Sequence, residues 1–128
     1  MKRFFATVLL VLASSHAAAD WVSVGELDKA EVFVDPASVE RSGTTVKMWS
    51  LYQLRTPGSA NGVAYQSLKR QDEYDCKQPR ARGVAIAAYA GEKATGKVVV
   101  SESTVQPWAP VTPQGTIETL WNIACEKK

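Results

Sequence analysis

Only two side chains in the 128 residues have the type and number to do covalent chemistry with each other, Cys76 and Cys125. In an exported chain, two cysteines are most simply one disulfide, because oxidising compartments pair exposed thiols. Each is the other's only partner in the sequence, and no Cys-x-x-Cys spacing is present to make a redox catalyst of them. A bond closing a loop of about 50 residues is worth roughly 4 kcal/mol in the chain-entropy model. Asp35 is the one carboxylate considered as a catalytic acid, and no second carboxylate stands beside it. Its Asp-Pro-Ala-Ser setting suits a type I turn instead.

Export is read from the first residues. Met-Lys-Arg, an apolar run from Phe4 to Ala13 and an Ala17-x-Ala19 site form a secretory signal peptide, residues 1–19, cut after Ala19. The apolar run is about half the roughly 20 residues that a spanning helix needs, so no membrane span is expected. No cysteine lies in the leader or directly after it, so no lipid anchor is expected. The mature chain should therefore be periplasmic or secreted.

Cleavage changes the charge balance. The 15 basic residues lose Lys2 and Arg3, leaving 13 against 13 acidic ones. A neutral chain offers no overall field to attract nucleic acid or an anionic membrane. The only histidine, His16, leaves with the leader, which excludes histidine-based zinc sites, Ser-His-Asp triads and Cys-His dyads. No metal, cofactor or catalytic residue is expected, and an enzyme is not expected.

The elements that position the cysteines follow from periodicity. From Thr112 to Cys125 the residues Ile117, Leu120, Trp121 and Ala124 recur at helical spacing and form one apolar stripe beside Cys125. Thr112 and Pro113 read as the helix cap and first position, with Lys127 and Lys128 favourable at its end. The preceding residues read as six short strands. They are one from Trp21 ended near Gly25, then Ala30 to Asp35, Thr44 to Arg55, Val63 to Cys76, Ala81 to Ala90 and Lys97 to Val105. Val39 to Gly43 reads as a turn, Thr56 to Gly62 as a loop tip, and Gln106 to Pro113, with its three prolines, as an extended crossover. In the fourth strand Cys76 shares parity with Leu68 and Tyr74, which predicts the face on which the helix docks. Alanines 85 and 87 alternate with Val84 and Ile86, leaving room for that helix. The expected fold is α+β, a six-stranded antiparallel β-sheet with a C-terminal α-helix packed on one face and held by a disulfide.

Trp21, Val-Phe-Val-Asp-Pro-Ala-Ser-Val with Arg-Ser-Gly, Val-Lys-Met-Trp-Ser-Leu, Ser-Leu-Lys-Arg-Gln-Asp-Glu-Tyr-Asp-Cys and the closing Leu-Trp-Asn-Ile-Ala-Cys resemble the surface-adhesin protein E family of bacterial envelope proteins. The resemblance spans about Trp21 to Cys125 and implies one adhesin E-like domain over residues 20–128. It implies the same sheet, helix and disulfide, and a non-enzymatic protein. One member of the family is an adhesin that binds host matrix proteins such as laminin and vitronectin and recruits plasminogen. The lipidated cysteine of that adhesin has no counterpart here.

Two readings of function follow. In the first the chain is a binding module for host extracellular matrix proteins or another envelope protein, with Lys69, Arg70, Lys77, Arg80 and Arg82 as the contact patch. Asp72, Glu73 and Asp75 are interleaved with these five cations, so a solvated, salt-bridged face is the plainer account of them. In the second the chain is a periplasmic carrier of a small apolar ligand, held between sheet and helix by Trp49, Ile86 and Trp121. The oligomeric state is left open, a homodimer included.

Overall fold

The computed structural model describes residues 20–27 and 29–126. The leader, residues 1–19, and the two terminal lysines lie outside the described residues. Among the described residues are eight strands and one helix: β1 (Val22–Leu27), β2 (Ala30–Val34), β3 (Glu40–Ser42), β4 (Thr45–Ala60), β5 (Val63–Asp75), β6 (Arg80–Tyr89), β7 (Val98–Glu102), β8 (Ala109–Pro110) and α1 (Thr116–Glu126). They form one sheet in the order β1-β2-β4-β5-β6-β7, with β3 added against β4 and β8 against β6, every pair antiparallel.

The six expected strands are the six of that order; the count of six is corrected to eight by β3 and β8. β3 is exposed along its whole length, so it carries no apolar alternation. It forms because Asp35 caps the turn Pro36–Ser38, accepting from the Ala37 amide, and because Gly43, at φ 61°, reverses the chain onto β4. β8 falls within the segment read as a crossover. Pro110 is tolerated there because the strand lies at an edge, and Val111 and Gln106 donate to the carbonyls of Pro79 and Gly83 on either side of it.

β1 ends at Leu27, shortly after Gly25, and its register shifts at a bulge between Ser23 and Gly25. One more expectation is revised. β4 does not stop at Arg55 but continues to Ala60, where Asn61 and Gly62, both at positive φ, close a tight hairpin. The extra residues of β4 are absorbed by a register shift between Gln53 and Gly58. The loop tip is therefore only two residues long.

The sheet buries both faces unequally. Val32 and Val34 of β2, Val46 and Met48 of β4, Tyr74 of β5 and Ala81 of β6 form the larger core with Leu120 and Ala124 of α1. Ile117, Trp121 and Cys76 pack against it, so the predicted stripe and the predicted parity are both found. The helix begins at Thr116, not Thr112, because Gln114 takes a positive φ of 64° and Gly115 donates back to the Thr112 carbonyl in a turn. Cys76 and Cys125 are joined with their Cα atoms 5.5 Å apart, within the usual span for a disulfide.

On the other face a smaller core of Phe33, Leu51 and Ala87 is buried. Residues 90–96 lie over it. Ser67 Oγ donates to the Gly91 carbonyl and accepts from the Ala94 amide, while Lys93 N donates to Gln53 Oε1.

Candidate binding face

Alternation along β4, β5 and β6 sorts the charged and aromatic side chains between two surfaces. Opposed residues in an antiparallel pair share a face. Tyr74 faces the helix, so its neighbours Glu73 and Asp75 face away, together with their partners Arg82 and Arg80 across β6. Trp49 and Lys69 share this helix-free face, as do Ala87, opposite Lys69, and Tyr89.

The helix-free face is built of cations against rings. The Lys69 ammonium lies 5.0 Å from the Trp49 ring centre and 5.7 Å from that of Tyr89. Lower on the sheet, the guanidiniums of Arg80 and Arg82 lie 4.6 and 4.2 Å from the Trp108 ring. Trp108 reaches them because β8 pairs Ala109 with Ala81 and Pro110 with Arg80. Each arginine also meets a carboxylate, Arg80 Nε donating to Asp75 at 2.8 Å and Arg82 Nε to Glu73 at 2.7 Å. Hydrogen bonding to Arg80 holds the Asp75 carboxyl below its usual pKa. Burial pushes Glu73 up, but hydrogen bonds from Arg82 and Thr45 outweigh it and the net shift is downward.

Arg70 points the other way. On the helix side it grips the carboxylate of Asp72 through two nitrogens, at 3.0 and 2.8 Å. Burial raises the Asp72 pKa, and Arg70 offsets this only in part. Burial also opposes charge on Arg70, yet Asp72 prevails there and raises its pKa. The asymmetry follows exposure, since Asp72 is 1% exposed and Arg70 35%. The Tyr74 hydroxyl is buried beside the Asp72 carboxylate, and burial, followed by the Asp72 charge, holds its pKa well up. Arg70 also lines a cleft of about 320 Å³ bounded by Gly83, Gln106 and the first turn of α1.

The five sequence-predicted patch residues thus separate. Lys69, Arg80 and Arg82 stand on the helix-free face, Arg70 stands on the opposite one, and Lys77 sits in the exposed turn before β6. The interleaved acids expected from sequence pair with three of them. Sequence reading missed Trp108 and Tyr89 as partners of the cations, since neither is near its cation in sequence. The proposed carrier pocket does not assemble. Trp49 lies on the face away from Trp121, because Met48, its neighbour on β4, is the residue that meets the helix core.

The alanine expectation is corrected for a related reason. The β5–β6 register passes from Asp72 opposite Gly83 to Gln71 opposite Ala85, leaving Val84 as an extra residue. That bulge reverses parity beyond it, so Ala81, not Ala85 or Ala87, meets the helix core. Among the described residues no group of three or more His, Cys, Asp or Glu side chains is placed to hold a metal ion. No helix among them is long and apolar enough to cross a membrane.

The chain is thus an antiparallel sheet closed on one side by a disulfide-held C-terminal helix, with a ring-and-cation surface on the other. The sequence profile of surface-adhesin protein E matches residues 21–126, and the chain belongs to that family. Among solved structures it is similar to Haemophilus influenzae protein E in several crystal forms. Crystal form II aligns at 14% identity and a TM-score of 0.64, covering 82% of this chain and 90% of that one. The selenomethionine form aligns at 12% identity and a TM-score of 0.66, covering 84% and 86%. These likenesses concern the fold. No curated protein matches.

Proposed function

We propose that the chain is an exported, non-enzymatic binding module that contacts host extracellular matrix proteins through its helix-free face. Family membership supports the adhesin class. The observation that carries the choice of face is the gathering of half-buried Trp49, Tyr89 and Trp108 against Lys69, Arg80 and Arg82. Trp, Tyr and Arg are the residues that dominate binding energy at protein interfaces. The opposite face is occupied by α1 and carries the larger core. Export in this reading rests on the leader read at residues 1–19, with cleavage after Ala19 and residues 20–128 as one domain.

Biolayer interferometry of the mature chain on immobilised laminin and vitronectin tests this reading. Binding should be saturable, and Arg80→Glu with Arg82→Glu should remove most of it. Saturable binding left unchanged by the charge reversal would rule out this face. Fractionation of cells into periplasm, outer membrane and medium tests the location, and a chain confined to the periplasm would rule out contact with host matrix.

A further inference from the structure

We infer that the helix-free face takes an acid-bearing polysaccharide, a chain of sugar rings carrying carboxylate or sulfate groups, seated over Trp49, Lys69 and Tyr89. This rests on that face being the contact surface proposed above, and it names the chemistry recognised there.

The first observation is an imbalance of charge within the face. Arg80 and Arg82 are each paired with a carboxylate. Lys69 is not: among the described residues no acid lies within ion-pair distance of it, and its cross-strand neighbours are Leu51 and Ala87. Its ammonium is held instead by two aromatic rings. Lys93 repeats the arrangement above the adjoining part of the sheet, its ammonium 5.2 Å from the Phe33 ring centre and, among the described residues, without a carboxylate in ion-pair distance. Ring contact fixes both cations without neutralising them. An anionic ligand supplies the missing charge.

The second observation is where the rings sit. They rise from the middle of a sheet whose strands β4, β5 and β6 already use their backbone groups in ladders. An extended peptide binds by adding a strand at a free edge, and it finds no free ladder here. A sugar ring needs none. One face of a pyranose presents C–H bonds to the negative face of an aromatic ring, while hydroxyl and acid groups project around its rim. Gln71, opposite Trp49 and one position along the face from Lys69, adds amide donors and an acceptor at that rim.

The test uses the mature, disulfide-intact chain on surfaces bearing chondroitin sulfate, uncharged dextran or poly-glutamate. Chondroitin sulfate should bind and dextran should not. Lys69→Gln should weaken that binding by about tenfold and lower the log–log salt slope by about one. Tyr89→Leu, which leaves charge unchanged, should also weaken it. Arg55→Gln removes an equal charge from an exposed pair with Glu26 and should change affinity by less than about twofold. Equal loss in Lys69→Gln and Arg55→Gln would overturn the inference in favour of diffuse attraction. Poly-glutamate bound as tightly as chondroitin sulfate would overturn it in favour of an acidic protein surface. Laminin and vitronectin stripped enzymatically of acidic glycans separate the two readings. If they still bind through this face, the glycan inference falls and the proposed function stands; if neither they nor any glycan binds, both fall.

Discussion

The indole Nε1 of Trp121 donates a 2.8 Å hydrogen bond to the backbone carbonyl of Asp75, one residue before the disulfide cysteine Cys76. The helix is thus joined to the end of β5 twice within two residues, once covalently and once by a polar contact. The Asp75 carboxylate accepts from the amides of Lys77 and Gln78 and from Arg80. One residue therefore ties the helix, the β5–β6 turn and the helix-free face together.

Trp121→Phe keeps most of the ring area on the core and removes only the donor. It should lower stability by about 1 kcal/mol, the net value of one part-buried hydrogen bond, read from the urea midpoint. Loss of several kcal/mol would mean that the ring itself, not the bond, anchors the helix.

Reduction of Cys76–Cys125 releases a constraint across 49 positions of sequence. Stability should fall by up to about 4 kcal/mol. A helix of 11 residues does not persist without its docking surface, so hydrogen exchange should rise first at Leu120 and Ala124 and later in β4 and β5. Equal protection of helix and strand amides after reduction would contradict this.

Acid should act on the three acidic neighbours in opposite senses. Glu73 and Asp75 have folded-state pKa values below the ordinary 4.5 and 3.8. Their stabilisation is complete above those ordinary values and is lost as pH falls through the depressed ones. Asp72 is raised above 3.8, so its ionisation is disfavoured in the fold, and that penalty is relieved as pH falls through the raised value. Glu73→Gln should flatten the loss of stability between neutrality and about pH 3, and Asp72→Asn should steepen it. Urea midpoints across that range give both slopes.

Ser67→Ala should unseat residues 90–96. It leaves the Gly91 carbonyl and the Ala94 amide without their partner, at a cost of about 1–3 kcal/mol. Ala94→Gly acts oppositely, because Ala94 sits at φ 60°, where a side chain is strained, and should stabilise by about 0.5–1 kcal/mol. Thermal melts of the two variants should therefore move in opposite directions.

Much of the framework was legible because it depends on local period. The stripe Ile117, Leu120, Trp121 and Ala124 and the shared parity of Tyr74 and Cys76 are set by 3.6- and 2-residue repeats, and both are found. What failed did so where the repeat is broken by one residue. The bulge that leaves Val84 unpaired turns Ala85 and Ala87 away from the helix, and no residue type announces it. Strand β3 is exposed throughout, and β8 is two residues long and half proline. Each exists because β4 or β6 offers a free edge.

The sequence by itself determined the disulfide, the docking side of the helix and the absence of histidine chemistry beyond residue 16, because these follow from residue counts and strand alternation. Only the tertiary structure decided which cations share a surface. Arg70 and Lys69 are neighbours in the chain and lie on opposite faces. Trp108 and Arg82 are 26 positions apart and lie in contact. The physical reason is that a strand sends successive side chains to opposite sides, while β8 brings a distant ring back along the edge of β6.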